Sequence, residues 1–353
     1  MPNSCNMRYY RFNRSARTVK SFPGAGRISF YSYSPCMSRP LKQWLSIDDQ
    51  IALLSSRGMS IADPAEARQW LSAVGYYRLS GYWYPFRQLD ASGATPRRSS
   101  HFVPDTTFHE VVKLYEFDRH LKTQLQDGLE RVEVAFRSQI GYLLGRYGPV
   151  SHATATSFRP TFAHSDWWNT AQGRIRRARN RDDFVDHHYV NYAGTLPIWV
   201  LTDVLDFSDL SKLYAGMRAS DQKSIADWFA VTLPSDASKS RRQKWAKNPP
   251  LANWLEHLTV VRNICAHHGR LWNRQLTPIG TSARIRHLPV FADLPQDQVQ
   301  IERAYGTICV VSHLLDAASP GHSWRTKIDT LIASSFAEFT HRRPSEMGIP
   351  NRS

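Results

Sequence analysis

Residues 257–292 hold five arginines and neither aspartate nor glutamate. Within them lies the string Arg262-Asn263-Ile264-Cys265-Ala266-His267-His268-Gly269-Arg270-Leu271-Trp272-Asn273-Arg274. These side-chain types suit metal-free cleavage of RNA. A neutral imidazole takes a proton from a ribose 2′-hydroxyl. The oxygen so formed attacks the adjacent phosphate, and a guanidinium offers paired N–H groups to the charge that builds there. His267 and Arg262 are the candidates for these tasks, with Asn263 positioning the phosphate or the imidazole.

On a helix, Asn263 and His267 share a face one turn apart. Arg262 and His267 are five residues apart, about 140° around the axis, so one rigid helix does not aim both at one small target. The length of the arginine side chain covers part of that offset, and a second copy related by a two-fold axis covers the rest. Gly269 is expected to end the helix, with His267 and His268 in its last turn, where the macrodipole favours imidazolium. The plain alternative is a helix-end network in which Arg262 and His267 bond a carboxylate or free carbonyls. His268 points about 100° from His267 and reads as a packing or RNA-contact residue. Cys265, His267 and His268 lack a second ligand pair at zinc spacing, so neither metal nor cofactor is expected.

The elements that must hold this segment read as helices. Ser46-Ile47-Asp48-Asp49 reads as a capping box opening a helix through Leu54, and Asp63-Pro64 starts a second. Tyr76, Tyr77, Tyr82, Trp83, Tyr84 and Phe86 form an aromatic stretch read as core rather than as a base-stacking surface. Residues 91–107 read as a loop. Leu114, Phe117, Leu121, Leu125, Leu129, Val132, Phe136, Ile140 and Leu143 recur at spacings of three and four, defining one long central helix. Asp127–Arg131 and Glu133–Arg137 support it at i,i+4. Residues 149–197 read as irregular, and their arginines (Arg174, Arg176, Arg177, Arg179, Arg181) as either a solvated loop or phosphate contacts. His187-His188 reads as a solvated polar face. A helix from about Ile198 to Leu213, a basic linker around Lys239–Lys247, and helices from Pro250, over Ile301–Leu315 and over Trp324–Phe339 complete the chain. No repeat and no convincing β-alternation stands out.

The whole chain of 353 residues carries 45 Lys and Arg against 30 Asp and Glu, a formal charge of +15. Such a field attracts polyanions, which makes nucleic acid the natural partner class. No stretch has the length and apolarity of a membrane span, and four scattered cysteines fit a reduced, cytoplasmic setting. Residues 1–36 carry six basic residues and no carboxylate, read as a disordered arm, a targeting-like tail or the product of a misplaced start before Met37.

Arg262 through His267 matches the R-x4-H pattern of HEPN-domain ribonucleases. The longer string RNICAHHGRLWNR resembles the signature of the Abi_2 (AbiD/AbiF-like) abortive-infection family of bacteria. LSIDDQIALLSSRGM (45–59), VGYYRLSGYWYPF (74–86), LYEFDRHLKTQLQDGLERVEVAFRSQIGY (114–142) and LPIWVLTDVLDFSDLSKLY (196–214) are similar to it too. The resemblance implies an all-α, HEPN-like helical bundle with an N-terminal helical subdomain. The expected division is a basic tail (1–38), the subdomain (39–107), the bundle (108–342) and a C-terminal tail (343–353). It further implies a homodimer cutting RNA without metal, leaving 2′,3′-cyclic phosphate, in phage defence or a toxin–antitoxin pair. Arg262 and His267 are then the catalytic pair with Asn263 beside them. His268, Arg270, Arg274, Arg174, Arg176 and Arg177 are expected on the RNA, and a cognate small RNA or antitoxin is the expected further partner. The alternative is a non-catalytic RNA-binding relative.

Overall fold

The computed structural model describes residues 41–90, 97–247, 250–277, 279, 288, 291, 294 and 302–350. The chain divides into units Met1–Trp44 and Leu45–Ser353. Of the first, only residues 41–44 are described, and they form no helix or strand. The basic N-terminal segment lies outside the described residues. Every described helix and strand belongs to the second unit.

Helix α1 (Ile47–Ser56) opens where expected, with Ser46 Oγ accepting the Asp49 N–H at 3.2 Å. In α2 (Pro64–Ala73) the Asp63 carboxylate accepts the N–H groups of Ala65 and Glu66, and proline takes the first turn, where no N–H is needed. Helix α3 (Tyr76–Trp83) comes next. The aromatic stretch splits by position: Tyr82, Trp83 and Phe86 are buried, while Tyr77 and Tyr84 are exposed. Part of the expected loop is strand instead. β1 (Arg87–Asp90) pairs antiparallel with β2 (Arg97–Phe102). Neither strand alternates apolar with polar residues, so backbone pairing rather than a hydrophobic face defines this hairpin.

The organising element is α4 (Phe108–Gly145), 38 residues long and about 57 Å at 1.5 Å per residue. Thr107 caps it, accepting the Glu110 N–H at 3.0 Å. The stripe Leu114, Phe117, Leu121, Leu125, Leu129, Val132, Phe136, Ile140 and Leu143 is buried, and the Asp127–Arg131 and Glu133–Arg137 pairs form. Helices α3, α7 (Ile198–Val204), α8 (Phe207–Gly216), α11 (Pro250–Ala266), α12 (Ala304–Ala318) and α13 (Trp324–Ala337) pack around it. Two glycines set the closest approaches. A Cβ at Gly128 would lie 2.7 Å from both Trp324 Nε1 and Val311 Cγ1, and one at Gly141 would lie 3.1 Å from Trp199 Cα.

Three further expectations are corrected. The segment read as irregular contains α5 (His164–Ala178) and α6 (Asp183–Asn191). Trp167, Ala171, Ile175 and Ala178 keep helical spacing on the buried side of α5, beneath the arginines on its other faces. The helix expected from Ile198 to Leu213 is two. Leu205 is extended and Asp206 restarts the chain, its N–H donating to Asp209 Oδ2 at 3.2 Å. α9 (Ala219–Trp228) then precedes α10 (Lys239–Lys247), a helix where a basic linker was expected. Among the described residues the unit is thus thirteen helices and one two-stranded hairpin, an all-α architecture. No described helix is long and apolar enough to cross a membrane.

Candidate active site

Helix α11 is fixed along one face by buried Leu251, Trp254, Leu255, Leu258, Val261 and Cys265. On that face His257 is also buried. Its Nδ1 meets Thr277 O at 2.7 Å and its Nε2 meets Thr307 Oγ1 at 2.8 Å. A carbonyl only accepts, so Nδ1 carries the proton and Nε2 accepts from the hydroxyl. Burial holds this imidazole down to a pKa of about 4.

The helix stops at Ala266, earlier than expected, and it is His268 rather than Gly269 that turns the chain. His268 takes a left-handed conformation, φ 56°. Gly269 N–H donates to Ile264 O at 2.8 Å and His268 N–H to Cys265 O at 3.1 Å, the paired bonds of a Schellman end. His267 N–H still donates to Asn263 O at 2.9 Å, so His267 completes the last turn. Cys265 is buried, and burial pushes its thiol up to about 12, with Asp118 adding to the shift and Lys122 opposing it. At that value the thiol stays protonated near neutral pH and is a poor nucleophile. Among the described residues no three His, Cys, Asp or Glu side chains are grouped to hold a metal ion.

Beyond the turn, the chain is pinned from two helices. Asp118 on α4, with no exposed surface, accepts Leu271 N–H at 3.1 Å and Trp272 N–H at 2.7 Å. It also accepts the Tyr82 hydroxyl of α3 at 2.7 Å and Lys122 Nζ at 3.2 Å. Lys122 in turn reaches Gly269 O at 3.2 Å. Burial first, and then Asp118, raises the Tyr82 pKa far above its ordinary value. From α3, Arg78 donates to His268 O at 2.7 Å, and Arg270 donates back to Gly81 O. Leu271 and Trp272 are fully buried. None of these anchors is a residue that sequence reasoning singled out for the role. The signal was available: Asp118 falls between Leu114 and Leu121 in the apolar stripe of α4, and a carboxylate there has to find partners.

Against this scaffold, Arg262, Asn263 and His267 are exposed, and their side chains make no hydrogen bond or ion pair with any described residue. Arg262 opens into a groove of about 370 Å³ between α11 and α4, lined also by Glu130, Glu133, Arg137 and Ala266. His267 is not part of that lining, in keeping with the 140° offset expected of a helix. Within one copy of the chain, His267 does not enter the Arg262 groove. Arg137 and Glu133 are committed locally: they pair with each other, and Arg137 also donates to Thr202 O and Leu205 O at the end of α7.

The residues expected on RNA fall into three groups. His268 and Arg274 are exposed. Arg270 is half-buried and tied to α3. On α5, Arg176 is exposed, whereas Arg174 is held by Asp206 at 2.7 Å and Asp209 at 2.8 Å, and Arg177 by Asp206 at 2.9 Å. His187 and His188 lie on α6 with rings 5.5 Å apart, and His188 bonds Phe184 O.

A helical unit built on one long helix, presenting a basic, carboxylate-free turn, is the architecture on which the family comparison falls. The model of the Abi-like protein family matches residues 69–273, which run from α2 through the α11 turn to Asn273. That is more than half of the chain, so the chain belongs to the Abi-like family, whose name points to abortive infection, the defence of bacteria against phage. No curated protein and no solved structure matches it.

Proposed function

We propose that this chain is a metal-independent endoribonuclease of the HEPN type, acting in abortive infection. His267 takes the 2′-hydroxyl proton and returns one to the leaving 5′-oxygen, Arg262 steadies the charge on the pentacoordinate phosphate, and Asn263 orients the substrate. One observation carries the reading. The chain commits Asp118, Lys122, Arg78 and Arg270 to fixing the turn, while the three reactive side chains beside it are left exposed with no partner among the described residues. A rigid support under unpaired polar groups is what preorganised catalysis requires.

Because Arg262 and His267 diverge within one copy, the reading includes a second copy that completes each site. Val134, Tyr142 and Trp199 are exposed along the α4–α7 face, and Val134 and Arg137 belong both to the Arg262 groove and to the groove running to Trp199. That apolar strip is the proposed dimer face. The same divergence favours a second reading, in which one copy grips a cognate RNA without cutting it.

The test is incubation of purified protein with total bacterial RNA in chelator, wild type beside His267→Ala, with mapped ends. Cyclic-phosphate ends made by wild type alone support the enzyme. Intact RNA in both, with salt-sensitive binding retained, selects the binding reading.

A further inference from the structure

Away from Arg262 and His267, a cleft of about 410 Å³ is lined by Tyr84, Arg98, Arg270, Asn273, Arg303 and Glu346, together with small neighbours. Three guanidiniums meet one carboxylate there. That carboxylate is already engaged, accepting Arg342 Nη1 at 3.0 Å and Arg343 N–H at 3.2 Å. Arg342 itself is held below its ordinary pKa, by burial first and with the Arg98 charge contributing.

The three arginines are pre-oriented. Arg98 donates to Arg87 O at 2.6 Å, Arg270 to Gly81 O and Arg303 to Asn273 O. A guanidinium has five N–H donors, so one carbonyl anchor leaves Arg98 and Arg303 with donors to spare. Two buried atoms of the lining residues, Arg303 Nε and Asn273 Oδ1, have no hydrogen-bond partner among the described residues. Half-buried like charges and orphaned buried polar atoms cost stability unless something fills the space between them. A tetrahedral oxyanion suits several convergent forks, and Tyr84, 48% exposed, carries the guanidiniums of Arg87 and Arg98 at 5.8 and 5.9 Å from its ring centroid, an aromatic edge of the cleft against which a base can stack.

We infer that this cleft is a phosphate subsite that grips a backbone phosphate of single-stranded RNA, with the adjoining base on Tyr84, at a position distinct from the linkage held by Arg262 and His267. The inference rests on RNA being the substrate. It is favoured over a free nucleotide by continuity. Arg270 and Asn273 follow His267 on the turn seated by Asp118, and α3 both holds the His268 carbonyl and leads into Tyr84.

The probe is a fluorescein-labelled oligoribonucleotide of roughly 12 nucleotides, within the span such grooves cover, titrated against full-length His267→Ala protein so that nothing is cut. Asn273→Asp sets a carboxylate beside Arg303, where it mimics the bound anion. The expected result is a thermal midpoint that does not fall and an affinity weakened about tenfold. Tyr84→Ala, an exposed change, is expected to weaken binding at least about fivefold. Unchanged affinity in Tyr84→Ala and in a folded Asn273→Asp overturns the subsite while leaving RNA binding intact. Failure of the parent protein to bind RNA at low salt instead overturns the reading beneath it. Adenosine monophosphate binding as tightly as the oligonucleotide, and losing affinity in the same variants, moves the site to a free nucleotide and overturns the strand assignment.

Discussion

Asp118 and Trp272 lie 154 positions apart, and the carboxylate of the first accepts the backbone N–H of the second at 2.7 Å with no access to solvent. The bond joins the first half of the chain to the turn that carries the candidate chemistry. Through it the long helix decides where that turn sits.

Asp118→Ala removes an acceptor shared by two backbone N–H groups, a tyrosine hydroxyl and a buried ammonium. Breaking a buried pair from one side leaves the other charge uncompensated, so a loss of about 3–5 kcal/mol is expected. Urea denaturation reads it as a lower midpoint. A loss under about 1 kcal/mol would show that the turn is held elsewhere.

The split between Arg262 and His267 predicts subunit complementation. Arg262→Ala and His267→Ala are each exposed changes, expected to alter stability by less than about 0.5 kcal/mol and to abolish cleavage. Mixed in equal amounts, unfolded and refolded together, they should regain about a quarter of wild-type activity, since half the dimers then hold one complete site. No recovery would mean that both side chains act from the same copy.

His152 and His257 are buried and neutral, each with its pKa lowered from 6.5 to about 4, chiefly by burial. The unfolded chain binds protons on these groups below about pH 6.5 and the folded chain does not. Stability is therefore complete above that pH and falls as the pH drops toward 4, by roughly 3 kcal/mol for each histidine at the limit. Denaturant midpoints measured across this window check the sign. Flat stability there would be incompatible with two neutral buried imidazoles.

His268 holds a left-handed backbone that glycine adopts freely and a β-branched residue resists. His268→Gly is expected to be neutral or stabilising by up to about 1 kcal/mol, and His268→Val to cost about 1–3 kcal/mol. Thermal melts of the two variants side by side decide it. Equal melts would indicate that the turn relaxes.

Periodicity makes α4 legible because its apolar stripe runs unbroken for many turns, and capping chemistry makes the starts of α1 and α2 legible for the same local reason. α5 is harder to read because three arginines, Arg174, Arg176 and Arg177, are interleaved with Trp167, Ala171 and Ile175, which keep the helical period. The β hairpin has no alternation to detect. At the candidate site, Arg262, Asn263 and His267 could be picked out by type and spacing, since side-chain chemistry and intervals along one helix are written in the sequence itself. Their anchors are legible from one side only: Asp118 stands out as a carboxylate in the apolar stripe of α4, but its partners do not. Asp118 acts on Leu271 and Trp272 through backbone N–H groups, and a backbone donor imposes no residue type on the far partner.

Helix α4 carries Asp118, which seats the His267 turn, and fifteen positions later Glu133, which borders the Arg262 groove. Those two stations are about 22 Å apart on one rod. Any tilt or bend in that rod would move the Arg262 groove and the His267 turn in step, so a ligand that levered α4 would displace both candidate side chains without approaching either.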